Sequence, residues 1–111
     1  MSAHDLFDRH VERFNHGVRT GDFGPMLEQF TADAELHFEG VPVGPFVGRS
    51  VIAEAYAQNP PDDEIDVLGV ETDGASLVAH YAWKKDEGRP AGRMIVTTRA
   101  DRIARLVITF D

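Results

Sequence analysis

The sequence contains no cysteine. That absence removes disulfide bridges, thiolate metal sites and a thiol nucleophile from the chemistry open to this chain. No apolar run approaches the roughly eighteen residues that a membrane span needs, and the opening MSAHDLFDRH has no basic stretch leading into an apolar one. Neither a signal peptide nor a membrane partner is therefore expected, and the expected location is cytoplasmic. Positive charge is scarce where most of the chain lies: residues 1–83 carry 4 basic against 15 acidic side chains, and only residues 84–105 reverse the balance, with 7 against 3. The net charge of −8 is the wrong sign for a nucleic-acid-binding surface, so no nucleic-acid partner is expected. The basic stretch reads as arginines on an outer sheet face, paired with the acidic first half.

What is present is an ordinary globular balance, 42% hydrophobic and 27% charged, which argues against disorder. The 111 residues fit one domain, 1–111, with a modest core that a shared dimer interface would help. Ser2 followed by Asp5 matches a helix-capping box. Phe7, Val11, Phe14 and Val18, with Leu6 beside them, form an apolar helical stripe that ends at Gly21. A first helix is predicted over 3–20, and His4, His10 and His16 lie off its stripe, on the solvated side. Asp22 caps a short second helix with Pro25 in its first turn and Met26, Leu27 and Phe30 inward. Residues 34–39 alternate, Ala34, Leu36 and Phe38 against Glu35, His37 and Glu39, as a half-buried strand does. A glycine- and proline-rich connection leads to a helix over 49–58, with Ile52, Ala55 and Tyr56 inward, stopped by Asn59-Pro60-Pro61. Four strands are predicted to follow in a meander, at 64–72, 77–85, 92–100 and 102–110, with an Asp73-Gly74 hairpin turn between the first two. The resulting fold class is α+β, three helices covering one face of a curved, mostly antiparallel sheet, with room for an apolar cavity between the layers.

The runs Val11-Glu12-Arg13-Phe14, Gly21-Asp22-Phe23, Leu27-Glu28-Gln29-Phe30 with Asp33-Ala34, and Gly44-Pro45-Phe46-Val47-Gly48-Arg49 through Ile52 to Tyr56 carry a family resemblance. The chain resembles the nuclear-transport-factor-2-like superfamily, in particular its SnoaL-like polyketide-cyclase and ketosteroid-isomerase-like branch. The resemblance implies a cone-shaped fold enclosing a mostly apolar cavity, and dimers formed through the outer sheet face. It does not fix an activity, because the superfamily includes isomerases, cyclases, dehydratases, hydrolases, carriers and adaptors. Steroid isomerisation needs a carboxylate base and an oxyanion hole built from a tyrosine and a protonated carboxylic acid. The positions aligned with those three groups hold Phe14, Phe38 and Val96, and none of these side chains can move a proton.

The candidates that remain are these. His37 and Glu39 share a strand face and form either an acid–base pair or a solvated or dimer-facing edge; if both face away from the cavity, the catalytic assignment fails. Tyr56 or Tyr81 would serve as hydrogen-bond donor. Phe14, Val18, Phe38, Tyr56, Tyr81, Trp83, Met94, Val96 and Phe110 are the predicted wall of a site for an apolar small molecule. His80 alternates away from that wall, and Arg93, Arg99, Arg102 and Arg105 either bind an anionic group or form surface ion pairs. Two ligands without a third make no metal site, and no cofactor is expected. The expected function is a small-molecule-binding protein, with two alternatives: an isomerase, cyclase or dehydratase using His37 or Glu39, and a dimeric adaptor working through its sheet.

Overall fold

A computed structural model describes residues 2–74 and 76–110. Helix α1 (Ala3–Thr20) begins where the Ser2 hydroxyl accepts the Asp5 N–H at 3.1 Å and ends as Gly21 N–H donates to Gly17 O at 2.7 Å. Its buried face is Leu6, Phe7, His10, Phe14 and Gly17, while Val11 and Val18 are only half-buried. The stripe is thus rotated from the predicted one, and His10, expected in solvent, is fully buried. Steps of three and four from Phe7 reach His10, Phe14 and Gly17, and the absent side chain at Gly17 makes room for the Phe23 ring, which a Cβ there would meet at 2.3 Å.

The short α2 (Gly24–Leu27) starts beside Asp22, whose carboxylate accepts the Gly24 N–H at 2.9 Å. Phe30, expected on this helix, instead opens β1 (Phe30–Glu39), which starts four residues earlier than predicted. The connection after β1 holds a two-residue strand, β2 (Phe46–Val47), that the sequence did not signal. Gly48, at φ 98 and ψ 140, then turns the chain into α3 (Arg49–Gln58) through a conformation that side chains with a Cβ avoid. β3 (Ile65–Asp73), β4 (Ser76–Trp83), a short 3-10 turn (Lys84–Asp86), β5 (Gly92–Arg99) and β6 (Arg102–Thr109) complete the chain. The predicted Asp73-Gly74 turn runs into Ala75, which lies outside the described residues.

The six strands form one mixed sheet in the order β2-β1-β6-β5-β4-β3. The predicted meander is present as β3 to β6, all antiparallel, while β1 joins β6 in parallel. Helices pack on one sheet face, and the core between the layers includes Phe7, Met26, Phe30, Leu36, Ile65, Leu77 and Leu106, each at most 1% exposed. Burying each such side chain contributes roughly 1.5–3 kcal/mol. Asn15 fixes β3 to α1: its side chain accepts the Ile65 N–H at 2.9 Å and donates to Ile65 O at 3.1 Å. Among the described residues, no helix is long and apolar enough to cross a membrane.

Candidate functional site: an aromatic-walled cavity

At one end of the helix–sheet interface lies a cavity of about 380 Å³. The sheet supplies Leu36 and Phe38 from β1, Tyr81 and Trp83 from β4, Met94 from β5 and Ile108 from β6. The helices supply Phe14 from α1, and Ala55, Tyr56 and Gln58 from α3. Val43 and Phe46 from the β1–α3 connection, Asn59 and Pro61 after α3, and Phe110 after β6 complete the lining. Val43, Asn59 and Phe110 are exposed and mark the mouth.

Ring contacts set the wall. Phe38 stacks on Phe110 with ring centres 6.3 Å apart and meets Phe46 edge-on at 6.2 Å. Phe23 bridges Phe14, at 6.1 Å, to Tyr56, at 5.2 Å. Tyr81 and Trp83 meet edge-on at 5.8 Å. These spacings lie in the attractive range for aromatic pairs, so the rings hold each other in place without polar help.

The polar groups of the lining differ in their commitments. The Tyr81 hydroxyl donates to Thr109 O at 3.2 Å, so it is already bonded to the fold. Among the described residues, neither the Tyr56 hydroxyl nor the Trp83 indole N–H has a hydrogen-bond partner. Burial pushes the Tyr56 phenol well above its ordinary range, so it stays protonated and can only act as a neutral donor or acceptor. Gln58, at the rim, donates to Glu54 at 3.0 Å.

Of the predicted wall, Phe14, Phe38, Tyr56, Tyr81, Trp83, Met94 and Phe110 line the cavity. Val18 and Val96 do not: Val18 packs half-buried against the core, and Val96 is fully buried where its neighbours in register are Leu77 and Leu106. His37 and Glu39 do not reach the cavity either. Strand alternation turns them to the other face of β1 from Leu36 and Phe38, and the His37 ring lies 2.9 Å from Glu35 on that same face. Neither can exchange a proton with a molecule held in the cavity, which corrects the acid–base roles expected of them. Among the described residues, no His, Asp or Glu side chain lines it. Among the described residues, no group of three or more His, Asp or Glu is placed to hold a metal ion.

No curated protein matches the chain. Solved structures do share its fold. A nuclear transport factor 2-like protein of unknown function from Cytophaga hutchinsonii superposes with a TM-score of 0.75 at 15% identity, covering 100% of this chain and 91% of that one. A candidate polyketide cyclase from Sinorhizobium meliloti gives 0.66 at 24% identity, covering 97% and 99%. A candidate ketosteroid isomerase from Kribbella flavida gives 0.73 at 12% identity, covering 98% and 77%. With helices on one face of a six-stranded mixed sheet, and with the SnoaL-like domain description matching residues 11–106, the chain belongs to the SnoaL-like domain family.

Proposed function

We propose that the protein binds a mostly apolar, ring-containing small molecule that carries a hydrogen-bond acceptor, and that it does so without proton transfer by its own carboxylates or histidines. The observation that carries this reading is the pairing of an aromatic wall with an uncommitted, permanently protonated Tyr56 hydroxyl. The volume, about 380 Å³, falls in the roughly 300–1,000 Å³ range of small-molecule sites. The structural neighbours described as a candidate polyketide cyclase and a candidate ketosteroid isomerase suggest polycyclic ketones as the first ligands to try. An isomerase or cyclase working through His37 or Glu39 is disfavoured because both side chains stand on the opposite sheet face.

Trp83 is the chain's one tryptophan and lines the cavity, so its emission reports occupancy directly. Titration with polycyclic ketones is expected to change that emission, and each ketone is expected to bind more tightly than the matching hydrocarbon. Tyr56→Phe should erase that preference, weakening ketone binding by about tenfold and leaving the hydrocarbon unaffected. A flat Trp83 signal across the whole panel would sink the proposal.

A homodimer through the outer sheet face is a second proposal, favoured by one row of residues. Glu71, Val78, Ile95, Val107 and His37 stand side by side across β3, β4, β5, β6 and β1. The row has an apolar centre and polar ends, and Arg93 and Arg105 flank it two residues along β5 and β6 on the same face, an arrangement that suits a self-complementary contact. Light scattering is expected to give a dimer that Ile95→Glu converts to monomer with no loss of secondary structure. A monomer at every concentration would remove this reading and leave the cavity untouched.

A further inference from the structure

Residues 1–83 hold only four basic side chains, and three of them, Arg9, Arg13 and Arg49, lie with Arg102 around two adjoining clefts. The larger, about 620 Å³, lies between α1, α2, α3 and the start of β6, and shares no lining residue with the aromatic cavity. Arg13, Glu28 and Arg102 line both clefts, and Arg49 and Ser50 add to the larger.

The arginines are held from behind. Arg13 donates one Nη1–H to Pro25 O at 3.3 Å, Arg102 to Glu28 O at 2.9 Å, and Arg49 to Phe30 O at 3.3 Å. All three acceptors belong to one six-residue segment, so the segment gathers guanidinium groups from α1, α3 and β6. Each guanidinium has five N–H donors, and one such bond orients it without consuming the rest. The ion pairs among the described residues use Arg19, Arg99, Lys84, His4 and His37, and none of the four cleft arginines. Glu28, the carboxylate common to both clefts, makes no ion pair with them either. Against the four guanidinium groups stand Glu28 in both clefts and Asp101 in the smaller one, which leaves a local excess of positive charge that an anion between the arginines would offset.

We infer that the cleft bounded by Arg13, Arg49 and Arg102 binds a phosphate-type oxyanion, free or as a monoester. Guanidinium forks match the paired oxygens of such a group, and the Ser50 hydroxyl in the first turn of α3 adds a neutral donor. The net charge of −8 gives no long-range attraction, so binding here depends on the local donors rather than on the field of the whole molecule.

The test is a titration of the full, isotope-labelled chain with inorganic phosphate, read by NMR at the arginine Nε–H and Ser50 amide signals. Chloride at equal ionic strength is the control, and glycerol phosphate forms a second arm. Saturable shifts with phosphate or its ester, absent with chloride, are expected. Tighter binding of glycerol phosphate than of phosphate would identify an ester as the ligand, and equal binding the free anion. Arg102→Gln should weaken binding by about tenfold. Because Arg102 also holds Glu28 O, a loss there alone has two readings, so the deciding variant is Glu28→Gln. Removing that exposed carboxylate should tighten binding about threefold, a gain that misfolding cannot mimic. Shifts reproduced by chloride, or a Glu28→Gln variant with unchanged phosphate affinity, would overturn the inference.

Discussion

Gly92→Ala is expected to destabilise the protein by at least about 3 kcal/mol, lowering Tm by roughly 12 °C. A Cβ at position 92 would sit 1.9 Å from Thr109 O and 2.7 Å from Thr109 C. Both are backbone atoms, so no rotamer change can relieve the clash. Thr109 is also pinned from other directions. Its carbonyl accepts the Tyr81 hydroxyl at 3.2 Å, and its side-chain oxygen accepts the Arg93 N–H at 2.9 Å. Making room for a methyl group must therefore displace the end of β6, and with it Phe110, whose ring stacks on Phe38 at the cavity mouth. The variant should lose stability and cavity shape together, read by urea unfolding and by a red shift in Trp83 emission. Gly69→Ala is the control, because it too lies in a strand but a Cβ there meets nothing within 4 Å. It is expected to stay within about 0.5 kcal/mol of the parent. Equal stabilities for the two variants would mean that β6 does not press on Gly92.

The elements that the sequence announced are those with local punctuation. α1 and α3 occupy their predicted residues because Ser2 and Gly21 bound the first, and Gly48 and Asn59-Pro60 the second. The start of β1 was not legible. Phe30 continues the apolar spacing of α2, and only its pairing with Ile103, far along the chain, commits it to the sheet. β2 is two residues long, too short to show any period, and exists because Phe46 and Val47 meet Leu36 and Glu35. The β3 bulge that turns Leu68 outward is likewise set by pairing with β4, not by its own sequence.

The cavity was legible where strand alternation decides the facing. That rule placed Phe38, Tyr81 and Trp83 inward and His37 outward, and the structure agrees. It could not set depth along a strand. Val96 faces the same way as Met94 but stands two residues further under the helices, among Leu77 and Leu106, where no space remains. Nor could any period find Val43, Asn59 or Pro61, which reach the mouth from irregular segments. Phe14 and Phe38 both face the cavity and present apolar surface to it.

Stability is expected to fall by about 3 kcal/mol as pH drops from 6.5 to 4, through His10 alone. The ring is fully buried on the inner face of α1, edge-on to Phe30 at 5.8 Å. Among the described residues neither ring nitrogen has a hydrogen-bond partner, and the buried Gln29 spends its amide N–H on Leu6 O at 3.4 Å. Burial lowers the imidazole pKa from 6.5 to about 4. The folded-state pKa lies below the unfolded one, so in this window the unfolded chain binds the extra proton. The contribution of His10 is complete above 6.5, is lost as pH falls towards 4, and changes no further below. Many carboxylates titrate in the same range, so the measurement is the difference between two unfolding curves, wild type and His10→Leu. Leucine has a similar volume and no polar atoms, and at pH 7 it should add about 1–2 kcal/mol by removing an unpartnered buried group. The advantage of the variant should then widen steadily from pH 6.5 to pH 4. Parallel stability–pH profiles for the two proteins would place His10 in contact with solvent, and would also undo the rotated packing of α1 that buries it.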